Sequence, residues 1–150
     1  MNVYEILRSA HSGWRYLVFI LLVIAVIQAL VGWVGKKNYT DSNRKLNVFT
    51  LISAHIQLVL GIILYFISPL VKLSSSEALG RYWKMEHIAM MVLAIIFITV
   101  GNARSKKVTD SISKHKNIAV FFGLALIFIV VAILMMMKVG PAKTFFGMSS

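Results

Sequence analysis

The sequence predicts an all-α membrane protein, a single domain over residues 1–150 built as an up-down bundle of four transmembrane helices. Hydrophobic residues make up 59% of the chain and charged residues 14%, against about 25% charged in an average soluble domain. Four apolar runs are each long enough to cross a hydrocarbon core of roughly 30 Å, which takes about 20 helical residues. The segments between them are too short to hold a soluble catalytic domain. The net charge of +11 therefore belongs to loops at the membrane surface, where lysine and arginine set topology and meet anionic headgroups. It is not a nucleic-acid footprint.

The first run covers residues 16–34, entered through HSGWRY and closed by Gly35-Lys36-Lys37. The second covers 46–70, with Pro69 marking its end, and the third covers 82–100, closed by Gly101 and Arg104. The fourth covers 118–137 and is ended by Gly140-Pro141. Continuous apolar stretches of this length read as spans rather than core helices. The N-terminus lacks the basic region and small-residue cleavage site of a signal peptide, so the first helix is expected to stay as an anchor.

Lysine and arginine bias gives the orientation. The loops after spans one and three hold nine such residues, among them Lys36, Lys37, Arg44, Lys45, Arg104, Lys106 and Lys107, against seven on the other side. Both termini are expected outside, with the two Lys-Lys loops in the cytoplasm. Trp14, Tyr16, Tyr82 and Trp83 then form an outer aromatic belt, with Trp33 and Tyr39 at the inner face. The two loops also repeat: Lys36-Lys37 leads to Thr40-Asp41-Ser42, and Lys106-Lys107 leads to Thr109-Asp110-Ser111. Ordinary N-capping explains Asp and Ser before an apolar run, and duplication of a helical hairpin is the other explanation.

Four histidines remain to be explained. With no cysteine in the chain, disulfides, iron–sulfur clusters, thioether haem attachment and thiolate nucleophiles are excluded. Any metal has to be held by His, Met or oxygen, and an ionisable residue within a span is a functional candidate. Counted from the nearest loop lysine, His55 lies roughly 15 Å deep, His87 roughly 28 Å and His11 roughly 37 Å. His115, between Lys114 and Lys116, is expected in solvent at the inner surface. Axial ligands of one iron need similar heights on facing helices. His87 with His11 on the diagonal helices is the best match, with His55 as substitute, and two haems are not expected. Arg15, Arg81 and Lys84 near the outer rim are candidates for propionate contacts or for topology and headgroup contacts.

The faces are also readable. His11 shares an azimuth with Val18, Leu22, Ala25 and Ala29, and Ala25, Ala29 and Gly32 form a small-residue seam. His87 shares a face with Met91, Ala94, Ile98 and Gly101. On span two, Thr50, Ser53, Gln57 and Gly61 form a polar stripe nearly opposite His55. Both faces cannot point into one narrow core, so a partner chain is expected against one of them; the stripe itself reads either as ordinary interhelical hydrogen bonding or as the contact of a homodimer or larger complex.

HSGWRY (11–16), SAHIQLVLGIILYFISP (53–69) and MEHIAMM (85–91) resemble the small bacterial four-span proteins labelled cytochrome b-like. The chain is also distantly similar to the cytochromes b561. The resemblance covers essentially the whole chain. It implies an inner-membrane helical protein with histidines on spans one to three, matching His11, His55 and His87. Two functions follow as expectations. One is a haem b electron-transfer protein with bis-imidazole ligation, served by a quinone or a periplasmic redox protein. The other is a cofactor-free accessory subunit of a larger membrane complex. A histidine proton path ranks below both, and hydrolysis has no support, since no activated nucleophile, paired intramembrane carboxylate or nucleotide loop is present.

Overall fold

A computed structural model describes residues 2–67 and 87–139 of the chain. The described residues form four α-helices and no strand: α1 (Val3–Val34), α2 (Asp41–Ile67), α3 (His87–Lys107) and α4 (Ser111–Val139). All four are long and apolar enough to cross a membrane. α1 packs on α2 and α4, and α3 packs on α2 and α4, so α1 and α3 stand on one diagonal. The α3–α4 hairpin has the most extensive contact and the α2–α3 seam the thinnest. This is the expected four-helix bundle.

Three helix starts and one end differ from the apolar runs. α1 begins at Val3, capped by Asn2, whose Oδ1 accepts from Glu5 N at 2.8 Å. HSGWRY thus lies within the helix, since none of its residues breaks the hydrogen-bond ladder. α2 and α4 begin at their caps, ahead of their apolar runs. α3 runs through Gly101 and Arg104 to Lys107, because a glycine alone does not stop a packed helix. Pro69, Tyr82, Trp83, Gly140 and Pro141 lie outside the described residues.

The turn after α1 is a Schellman cap. Lys37 N donates to Gly32 O at 2.9 Å and Lys36 N to Trp33 O at 3.4 Å. The residue between cap and exit is Lys36, with φ 52, a left-handed conformation that glycine adopts more cheaply. The repeated Thr-Asp-Ser motifs both cap helices, but one residue out of step. Before α2 the cap is Thr40: its Oγ1 accepts from Asn43 N at 3.3 Å, and its own N donates to Asn43 Oδ1 at 2.8 Å. Before α4 the cap is Asp110, whose Oδ2 accepts from Ser113 N at 2.9 Å.

The core is small-residue and apolar. Leu22, Ala25, Ile98, Ile118, Phe122 and Ala125 are inaccessible, and Val18, Ala29 and Ala94 are nearly so. The faces assigned to His11 and to His87 are therefore core faces. The outer wall carries large apolar side chains, such as Ile27, Phe49, Ile62 and Ile127, as lipid contact requires. Close approach depends on glycine at two places. A Cβ on Gly101 would lie 2.6 Å from Phe121 Cβ, and one on Gly32 would lie 2.5 Å from three atoms of the His115 ring.

Candidate functional site

The polar stripe of α2 faces inward, against α1. Thr50 is inaccessible and Ser53 nearly so. Thr50 Oγ1 donates to Leu46 O at 2.8 Å and lies 3.5 Å from Leu21 O, while Ser53 Oγ donates to Thr50 O at 2.9 Å. From α1, Trp14 Nε1 donates to Ser53 O at 2.8 Å. Gln57 Nε2 crosses the other way to His11 O at 2.8 Å. These bonds decide two expectations. Of the two readings of the stripe, interhelical hydrogen bonding holds and the contact for another chain does not, and Trp14 ties two helices together rather than facing the headgroups. Hydroxyl and amide side chains hold helices together inside a membrane because no water competes for them.

His11 sits at this seam. A Cβ on Gly61 would lie 3.3 Å from its Cε1, so the imidazole rests on α2 where the chain has no side chain. Gln57 reaches the carbonyl of the same residue, and its Oε1 is buried without a hydrogen-bond partner. Arg15, one turn on, lies over the Tyr16 ring at 5.9 Å.

His55 occupies the opposite side of α2. Its Nδ1 lies 2.9 Å from Leu51 O, and a carbonyl only accepts, so Nδ1 carries the proton. Its Nε2 is then an acceptor, 3.4 Å from Thr99 Oγ1 on α3. Thr99 makes its shorter bond to Ile95 O, at 2.8 Å. Beside the imidazole an apolar groove of about 380 Å³ runs along α2, lined by Leu51, Ile52, Ile56, Val59 and Leu60. Thr99, in the run FITVG, was not singled out from the sequence; its only signal there is a hydroxyl in an apolar span.

The remaining histidine overturns its expectation. His115 is 2% exposed. Its ring lies on Gly32, meets Tyr39 edge-on at 5.2 Å, and places Nε2 3.3 Å from Asn38 O. Its neighbours in sequence point elsewhere: Lys114 Nζ donates to Ser105 O at 2.9 Å, and Lys116 lies over the Trp33 ring at 5.9 Å. Tyr39, expected at the inner aromatic belt, bridges helices instead. Its N accepts no proton but donates to Ser111 Oγ at 2.9 Å, and its hydroxyl receives Asn47 Nδ2 at 2.9 Å.

A haem held by two imidazoles needs both rings at one level, facing each other across the interior. His11 and His55 do not meet this requirement. His11 lies against the Gln57 side of α2, and positions 55 and 57 are about 200° apart on a helix, so the body of α2 separates the rings. His115 is at the lysine-rich end. The side chain of His87, and Arg81 and Lys84 entirely, lie outside the described residues. The backbone of His87 begins α3, twelve residues from Thr99 and therefore about 18 Å beyond the level of His55. His11, level with Gln57 and Gly61, is only about 3–9 Å beyond it. His87 thus stands farther out than His11, the reverse of the heights counted from the lysines. That count assumed the loop lysines to be level. They are not: Leu21 and Thr50 meet although one is fifteen residues from Lys36 and the other five from Lys45.

Among the described residues no group of three metal-ligating side chains assembles, and no two imidazoles face each other at one level. Comparison with protein-family models, with curated proteins and with solved structures finds no match.

Proposed function

We propose that the chain is a cofactor-free accessory subunit of a larger membrane assembly, acting through its outer wall at the α2–α3 seam. The observation that carries this reading is His55. Thr50, Ser53 and Gln57 are turned into the α1–α2 seam, whereas the imidazole of His55 and the hydroxyl of Thr99, beyond their own helices, meet only each other among the described residues, at 3.4 Å, beside an open apolar groove. Polar groups at such a place in a bilayer are stabilised by a partner's helix that brings a donor. A homodimer satisfies this geometry as well as a larger complex does.

His55→Leu with Thr99→Val tests it, since both changes suit a lipid-facing wall and leave the interior intact. In a mild-detergent extract of native membranes, the wild type is expected to migrate on a native gel far above its 16.8 kDa. The double variant is expected to fall to a monomer with unchanged helicity. A monomeric wild type would overturn the proposal.

The second reading is a haem b electron-transfer protein, favoured by the fixed position of His11 against Gly61. The group would then be held by His11 and His87, whose levels differ by about 9–15 Å along the helices and would have to be matched by helix tilt, with Arg15, Arg81 and Lys84 near its propionates, and would supply one-electron chemistry. The Gly61 contact would keep the His11 imidazole seated against α2. A reduced-minus-oxidised visible spectrum separates the two readings. A colourless protein from haem-replete cells supports the accessory role, and an α-band lost in His87→Ala supports the redox role. A quinone or a periplasmic redox protein would be the partner in the second case.

A further inference from the structure

At the lysine-rich end, α1, the turn after it and the starts of α2 and α4 line a half-open cavity of about 290 Å³. Its lining includes Gln28, Gly32, Lys37, Asn38, Asn43 and His115, and no carboxylate. Lys37, Asn43 and His115 bring hydrogen-bond donors to it. Asn43 Oδ1 is occupied by the N and Oγ1 of Thr40, at 2.8 and 2.9 Å, which leaves the Asn43 amide NH₂ as the available end. The one carbonyl that faces His115, Asn38 O, is held by Nε2, so the ring carries a proton there. Lys37 pairs with no carboxylate among the described residues. Asp41, the acid nearest in sequence, is held by Arg44 at 2.8 Å and Lys45 at 3.3 Å.

Amide donors and an ammonium, gathered around a buried imidazole with no anion to match them, suit a ligand rich in acceptor oxygens. We propose that this cavity binds a phosphate group, supplied by an anionic phospholipid of the adjoining leaflet. Basic pockets between transmembrane helices at the headgroup level have this chemistry. Val31 also lines the cavity and is half-exposed on the lipid side of α1, which places an apolar surface where the acyl chains of such a lipid would lie. Gly32 is essential to the shape, because a side chain there would drive the His115 ring off its seat.

The test uses the delipidated full chain in neutral detergent, with bound lipid counted by native mass spectrometry. Phosphatidylglycerol is expected to be retained, and diacylglycerol, which lacks the phosphate, to be lost. Lys37→Gln is expected to weaken phosphatidylglycerol retention about tenfold, the scale of one charge-assisted hydrogen bond. Lys107→Gln, an identical charge change on an exposed residue at the same end, is expected to leave it unchanged. Competition by inorganic phosphate against the wild type would show that the same donors also take a soluble phosphate; no competition would assign the site to lipid alone. Equal retention of the two lipids, or equal weakening by both substitutions, would overturn the proposal, because the attraction would then be diffuse.

Discussion

Substituting Gly101 by alanine tests the close contact between α3 and α4. The new Cβ would lie 2.6 Å from Phe121 Cβ and 3.3 Å from Phe122 Cδ1. Carbon atoms pack at about 3.5–4.0 Å, so the first distance has to open by roughly 1 Å. Phe121 Cβ is bonded directly to the α4 backbone, and turning the ring does not move it. The α3 and α4 backbones have to separate instead, and the separation loosens Ile98, Ile118 and Phe122, all inaccessible in the native packing. Overpacking of this kind costs about 1–3 kcal/mol. Alanine also recovers about 0.5–1 kcal/mol of helix propensity over glycine, which offsets part of the loss. Gly123 isolates that gain, because a Cβ there meets nothing within 4 Å. The difference between Gly101→Ala and Gly123→Ala is therefore the overpacking alone, about 1–3 kcal/mol. Thermal unfolding in one detergent, followed by tryptophan fluorescence, is the assay. Gly101→Ala is expected to melt several degrees below Gly123→Ala, and Gly123→Ala at or above the wild type. Equal melting of the two variants would refute the close α3–α4 contact.

Trp14→Phe removes the bond to Ser53 O and is expected to lower stability by about 0.6–1.7 kcal/mol, the range of interhelical hydrogen bonds in membranes, in the same melt. Gln57→Leu is expected to leave the oligomeric state unchanged on native gels, because its partner is His11 of its own chain; dissociation would show that the stripe is an intermolecular contact after all. Lys36→Gly relieves the left-handed conformation and is expected to raise the melting temperature slightly. The bond from Ser113 N holds the Asp110 carboxyl below its usual range. A depressed carboxylate stabilises the cap above that range and loses the contribution as pH falls through its own lower value. The Ser113 amide shift is expected to titrate there, and an unchanged shift in Asp110→Ala would show that another group caps α4.

The bundle was legible because its signals are redundant. Four apolar runs, two capped lysine turns and small residues on the faces of His11 and His87 all point to one layout, and burial of Leu22, Ala25, Ile98 and Gly101 follows that pattern. Helix ends were less so. Residues such as Ser12 and Arg15 interrupt hydropathy without interrupting hydrogen bonding, so α1 is longer than its apolar run. Facing was the least legible. Period alone shows that the Thr50–Gln57 stripe and His55 lie on opposite sides of α2, but cannot say which side meets α1. That choice is made by Trp14 and Gln57 together, each reaching a backbone carbonyl of the other helix, and neither bond is visible in one helix's sequence.

The histidines carry the same lesson to the site. A histidine flanked by two lysines reads as solvated, yet His115 is buried because Gly32, four turns from the centre of a separate helix, leaves room for its ring and Asn38 offers a carbonyl. A histidine among Ile and Leu reads as interior, yet His55 faces the thin α2–α3 seam. In both cases the deciding residue belongs to a neighbouring helix. Position in the membrane follows from the register between helices, which the Leu21–Thr50 contact fixes and the lysine count does not. Register therefore decides the levels of His11 and His87, while azimuth on α2 separates His11 from His55. Inside the bundle, Ser53 and Thr50 already answer one another and their neighbours' carbonyls. Lys37 and Asn43 instead line the cavity at the lysine-rich end, and His55 meets Thr99 beside the groove on α2.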